Sequence, residues 1–185
     1  SIVIPVTHTN ANGLPLGSEA DKSYEKMLLL DTGLMLRLLN MTTGDISELT
    51  EQILTSDVTD LVNKGPMAEM LAGLELLHYR TPNIRHEMFY WQRQAKNSQA
   101  EVDYISSYLQ TVLPIEVKAE IQGGMKSLWI FMREKKLTNA IRCSVENFGT
   151  FDYEDKEDNG LLRHVQICPL YAISQMDRLL KSFKW

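Results

Sequence analysis

The chain has 185 residues, 44% of them hydrophobic and 23% charged, which is enough to bury one full core and argues against wholesale disorder. Its 19 basic residues against 24 acidic ones give a net charge of −5, which excludes a bulk nucleic-acid coater while leaving room for a local basic face. No apolar run approaches the ~20 residues of a membrane helix, and the opening Ser1-Ile2-Val3-Ile4-Pro5-Val6 lacks the basic start of a secretory signal.

With Ser at position 1 and an immediate strand-like run, the chain reads as a segment of a longer protein. Cys143 and Cys168 both sit in strand-like segments, and neither a Cys-x-x-Cys motif nor zinc spacing among His8, His78, His86 and His164 is present. Reduced core thiols in a cytoplasmic protein are the expectation, with a disulfide between neighbouring strands as the alternative.

In chain order, β-branched residues 2–8 and Lys26-Met27-Leu28-Leu29-Leu30 predict a hairpin or pair of strands over 2–31. A short helix is expected from Leu34, and residues 42–64 place Ile46, Leu49, Ile53, Leu54, Val58, Leu61 and Val62 at helical spacing. Residues 65–79 give the clearest helix. Gly65-Pro66 starts it, Met67, Met70, Leu71, Leu74 and Leu77 form its apolar stripe, and Thr81-Pro82-Asn83 ends it.

Strands follow at 87–91, 100–106 and 112–119, the last two joined across Tyr108-Leu109-Gln110. A helix at 127–136, a strand at 139–145, an acidic loop at 151–159, a strand at 162–168 and a helix at 171–183 complete the reading. The order α-β-β-β-α-β-β-α predicts an α/β fold with a mixed central sheet flanked by helices.

Chemistry concentrates on the hairpin Glu101-Val102-Asp103 and Pro114-Ile115-Glu116-Val117-Lys118. Residues i and i+2 of a strand share a face, so Glu116 and Lys118 project together, and a turn near 109–110 brings Asp103 close to Glu116. Clustered carboxylates suit a hard divalent cation, and a neighbouring lysine can orient water or steady charge on a phosphate. The same spacing also fits a solvated strand face with cross-strand ion pairs. Against this, Val112, Leu113, Ile115 and Val117 make the strand look central. Glu69 falls among Pro66, Gly73 and Leu76 at helical spacing. It reads either as a carboxylate needing a partner or as a helix-start acid favoured by the macrodipole.

Asp103, then Glu116 and Lys118, with Glu69 on the preceding helix, resembles the PD-(D/E)xK nuclease superfamily. Leu30-Asp31-Thr32-Gly33-Leu34, Gly65-Pro66-Met67-Ala68-Glu69-Met70, Tyr90-Trp91 and Pro169-Leu170-Tyr171-Ala172 extend the resemblance. Together they are similar to the uncharacterised C-terminal domain of predicted AAA-type ATPases of bacteria and archaea. The resemblance implies a restriction-endonuclease-like fold over 63–185, with 1–62 an accessory segment, the tail of a winged-helix-like region. It implies a parent ATPase domain N-terminal to this segment. It also implies Mg²⁺- or Mn²⁺-dependent phosphodiester hydrolysis of nucleic acid. Asp103 and Glu116 would hold the metal, with the Val117 carbonyl as a third ligand. Lys118 would position or activate water and Glu69 would assist, with Glu101 a further candidate. Many members of that superfamily bind or scaffold without cleaving, so a non-catalytic interaction or regulatory module stands as the alternative.

Two other motifs dissolve on inspection. Leu30-Asp31-Thr32-Gly33 matches one half of an aspartic-protease pair, and Asp31 or Thr32 serves better as a helix cap. Gly123-Gly124-Met125-Lys126-Ser127 lacks the glycines a P-loop needs at 125 and 120, so no ATP site is expected in this chain. Lys118, Lys126, Arg133, Lys135, Lys136 and Arg142 offer a local basic face, read either as a phosphate contact or as solvated helix surface.

Overall fold

A computed structural model describes residues 2–38, 64–78, 87–93, 99–121 and 123–182. Strands β1 (Val3–Thr9) and β2 (Ala20–Leu29) are followed by helices α1 (Thr32–Leu38) and α2 (Lys64–His78). Strands β3 (Met88–Gln92), β4 (Glu101–Tyr108) and β5 (Thr111–Lys118) lead to α3 (Lys126–Lys135). Then come β6 (Asn139–Ser144), β7 (Gly149–Asp155), β8 (Leu161–Pro169), a 3₁₀ segment (Leu170–Gln175) and α4 (Met176–Lys181). The helical spacing read over 42–63 and the helix stop at 81–83 lie outside the described residues.

All eight strands join one sheet in the order β2-β1-β3-β4-β5-β6-β8-β7. It is mixed: β1–β3, β5–β6 and β6–β8 run parallel, and the other neighbours run antiparallel. Alternation along the central strands sorts their side chains into two core layers. Leu113, Ile115 and Val117 pack with Ala68, Ala72 and Leu76 of α2 and Met176 and Leu180 of α4. Val102, Ile105 and Val112 pack with Leu128, Phe131 and Met132 of α3. Each fully buried side chain of that size contributes roughly 1.5–3 kcal/mol of hydrophobic stabilisation.

Asp31 caps α1 by accepting the Leu34 N–H at 2.7 Å, the role expected of it. Of the expected apolar stripe of α2, Met70 and Leu74 are buried and Leu71 is exposed, and Ala68, Ala72 and Leu76 are buried beside them, because small residues let the helix backbone approach the sheet. A Cβ at Gly73 would overlap the Tyr104 hydroxyl and lie 2.9 Å from its ring carbon.

The acidic segment 151–159 is not a loop. Most of it is edge strand β7, with Thr150, Asp152 and Glu154 exposed and Asp155 fully buried. An edge strand tolerates charge on its wet face and is protected by it from pairing with other chains. Asp155 binds Arg163 at 2.9 Å and Arg133 at 3.0 Å, tying the β7–β8 hairpin to α3. Burial pushes the Asp155 carboxyl up, and the two guanidiniums outweigh it, holding the pKa below its ordinary value. The helix expected at 171–183 divides into the 3₁₀ segment and α4. Cys143 and Cys168 are free, buried, and side by side in the β6–β8 register.

Candidate functional site

The β4–β5 hairpin turns on Leu109 and Gln110, both left-handed at φ 46° and 63°, and pairs Tyr104 with Ile115. Against β3 the register slips by one residue. Trp91 faces Val102 and Phe89 faces Ile105, so Tyr90 opposes both Asp103 and Tyr104. Such a bulge bends a strand and re-aims side chains, a device common beside functional sites. Here it lets Glu101 and Asp103 project toward α2 while the Tyr104 hydroxyl donates to the Glu69 carbonyl oxygen at 2.8 Å.

One cluster results. Ligand oxygens of Glu69, Glu101 and Asp103 lie within 4.8 Å of one another. The Val117 amide N–H donates to Asp103 Oδ2 at 2.7 Å, so the main chain at Val117 engages Asp103 through its nitrogen. On the same hairpin, Glu116 Oε1 pairs with Lys118 Nζ at 2.6 Å. Glu116 is only 3% exposed, and its Oε2 has no hydrogen-bond partner among the described residues. Gly123 packs on the Lys118 stem, where a Cβ would come within 3.0 Å of Cδ.

The electrostatics follow from crowding. Burial first, then the charges of Glu116 and Glu69, push the Asp103 carboxyl up to about 8, against the opposing pull of the Val117 N–H and Lys26. Burial also raises the Glu116 pKa, with Lys118 opposing and Glu69 and Glu101 reinforcing the rise. A carboxyl group that favours its neutral form this strongly is one that a cation would stabilise on ionising.

Thus the structure groups Glu69 with Asp103, as the motif reading expects, and adds Glu101. Glu116 and Lys118 form an adjoining ion pair outside that three-residue group. The sequence reading missed Lys26. It reaches in from β2 to bind Glu69 Oε1 at 2.5 Å and Glu101 Oε1 at 2.7 Å, with the Asp103 carbonyl oxygen at 3.4 Å. Its Nζ also lies 4.7 Å from the Tyr90 ring centroid, within range for a cation–π contact. Burial pulls the Lys26 pKa down, and the attraction of Glu69 and Glu101 more than reverses it, so the ammonium is held above its ordinary value. Strand alternation puts Lys26 on the face of buried Leu28. That was the available signal, obscured because Met27 to Leu30 are all apolar.

The local basic face is largely spoken for. Arg133 is held by Asp155 and Glu157, Lys135 by Asn12, and Arg142 by Glu146 and the carbonyls of Glu120 and Ile121. Lys126 and Lys136 are exposed. No helix among the described residues is long and apolar enough to cross a membrane.

No curated protein and no solved structure matches the chain. A family of domains often found in AAA-ATPase-containing proteins matches residues 64–173, a span that holds α2 and the hairpin and leaves out β1, β2 and Lys26. On that match, the chain belongs to the family described as Domain of unknown function (DUF4143).

Proposed function

We propose that this chain is a nuclease-like C-terminal domain of an AAA-type ATPase, of the restriction-endonuclease-like fold, hydrolysing phosphodiester bonds of nucleic acid with a divalent metal. The carrying observation is the buried Glu116 carboxylate. One of its oxygens has no hydrogen-bond partner among the described residues, and it adjoins the Glu69–Glu101–Asp103 cluster. A buried carboxylate oxygen without a partner is costly unless something positive completes it. The donor set is carboxylate oxygen throughout, which fits Mg²⁺ or Mn²⁺ and not a soft metal.

In this reading Asp103 and Glu116 hold the metal, with Glu69 and Glu101 available beside them. The metal would supply Lewis-acid stabilisation of the charge that develops on the phosphate. The chain's own contributions are separate. Lys118, seated against Gly123, positions a water or donates to a phosphate oxygen. The Val117 N–H fixes the orientation of Asp103. The Tyr104 hydroxyl anchors α2, and so Glu69, to the sheet.

A second reading has its own observation. Lys26 and Lys118 already provide cations to the acidic groups, as in a structural network, and the chain is net acidic. A non-catalytic interaction or regulatory module of the parent ATPase needs no more than this. Cleavage assays on single- and double-stranded DNA and RNA with Mn²⁺ separate the two. Cleavage that falls about 10²-fold or more in Asp103→Asn and Lys118→Ala supports the nuclease. Intact substrates with the unaltered protein support the interaction module.

A further inference from the structure

We propose that Lys26 is a tethered competitor for the metal: its ammonium occupies the acidic cluster, and a divalent cation binds there when that side chain swings out. The proposal rests on the metal reading above and deepens it by assigning a regulator to that site.

The surroundings of the ammonium are those of a cation site. Two carboxylate oxygens lie 2.5 and 2.7 Å from Nζ, and a main-chain carbonyl oxygen lies at 3.4 Å. The rings of Tyr90 and Tyr104 flank it, with centroids at 4.7 and 5.8 Å. The carboxylates come from α2 and β4 and the rings from β3 and β4, so the cage is assembled by the fold and filled by a fourth element, β2. A lysine on a surface strand would extend into water to avoid losing its rotamer freedom. Lys26 instead sits half-buried in the carboxylate cage.

A divalent cation held by Asp103 and Glu116, with Glu69 and Glu101 drawn in beside them, would compete for the two carboxylates that the ammonium now pairs with. The ammonium already neutralises Glu69 and Glu101, and a divalent cation drawn to the same carboxylates would repel it at close range. Binding therefore exchanges one cation for the other. The apparent affinity for metal is reduced by the fraction of molecules in which Lys26 is withdrawn. The flexible four-carbon stem makes the exchange local, without movement of the sheet.

Calorimetric titration of MnCl₂ into the unaltered chain, Lys26→Met and Lys26→Gln reads the competition directly. If the ammonium fills the cage nine-tenths of the time or more, both variants bind Mn²⁺ about tenfold or more tightly than the unaltered chain. Their melting temperatures also rise more on adding Mn²⁺. Folded variants that bind no more tightly overturn the competitor role and leave the metal site standing. Absence of Mn²⁺ binding in all three proteins overturns the metal reading and this inference with it. Amine labelling of the unaltered chain, read by mass spectrometry, covers the case in which the variants do not fold. Mn²⁺ should speed labelling of Lys26 severalfold and leave exposed Lys126 unchanged, and an unchanged or slowed Lys26 overturns the proposal.

Discussion

Asp103 is where pH acts on this molecule. Its carboxyl keeps a proton up to about pH 8 in the folded chain and, at its ordinary value of 3.8, releases it far earlier when unfolded. The folded state therefore binds more protons across that window. Stability is fully present below about pH 4 and declines as pH rises toward 8, by at most about 1.4 kcal/mol per pH unit for one proton. Glu116, also raised, adds in the same direction, whereas Asp155, lowered by its arginines, costs stability only in strong acid. Urea denaturation in metal-free buffer between pH 5 and 8.5 should show the decline, and Asp103→Asn should flatten most of it. Stability that rises across this range would contradict the assigned crowding of Asp103. At this scale the meeting of Glu116 with Lys118 and of Glu101 with Asp103 was legible in the sequence, because period-two spacing on a hairpin fixes which side chains share a face. Lys26 was not, because its partners lie 43 and 75 residues away and the apolar run after it hides which face it takes.

Helix α2 brings Glu69 to the sheet by a close approach at Gly73. Gly73→Ala puts a methyl group into the Tyr104 hydroxyl, so helix or ring must shift. Overpacking of this kind costs about 1–3 kcal/mol. Gly65, in the first turn of the same helix, has open space where a Cβ would go. Gly65→Ala should therefore be neutral or mildly stabilising, since alanine lowers the entropy of the unfolded chain. Chemical denaturation of the two variants checks the contrast, and adding Tyr104→Phe to Gly73→Ala should recover part of the loss. Equal effects at the two glycines would mean that the Tyr104 contact does not set the helix position. The elements themselves were largely readable, since α2 and α3 carry helical spacing and β3–β5 are short runs rich in β-branched and aromatic residues. The β4–β5 turn gave a weaker signal, because Leu109-Gln110 lacks the Asn-Gly or Asp-Gly pair suited to two left-handed residues. β7 reads as a loop in the sequence because its three acids, Asp152, Glu154 and Asp155, outnumber Phe151 and Tyr153. Charge on a wet edge is compatible with a strand that composition alone would reject.

For the molecule as a whole, the question is where the folding unit begins. The family match starts at residue 64, and the sequence reading treats 1–62 as an accessory segment. Yet β1 lies parallel to β3, pairing Val6 with Met88 and His8 with Tyr90, and β2 completes that side of the sheet. Val6 and Leu28 belong to the same core layer as α2. The His8 side chain donates from Nε2 to the Gln92 carbonyl oxygen at 3.1 Å, a further tie between β1 and β3. Removing residues 1–31 would turn β3, with Met88, Phe89, Tyr90 and Trp91 all buried, into an open apolar edge. It would also strip Glu69 and Glu101 of Lys26. An exposed edge of that composition invites pairing with other chains, and a carboxylate deprived of its partner is destabilising where it is partly buried. A chain beginning at residue 64 should therefore melt without cooperativity or associate into large species, measured by calorimetry and light scattering, and a peptide spanning 1–31 added in trans should restore part of the transition. A truncated chain that melts cooperatively at the temperature of the complete one would show that the matched region folds alone and that the hairpin merely rests on its edge.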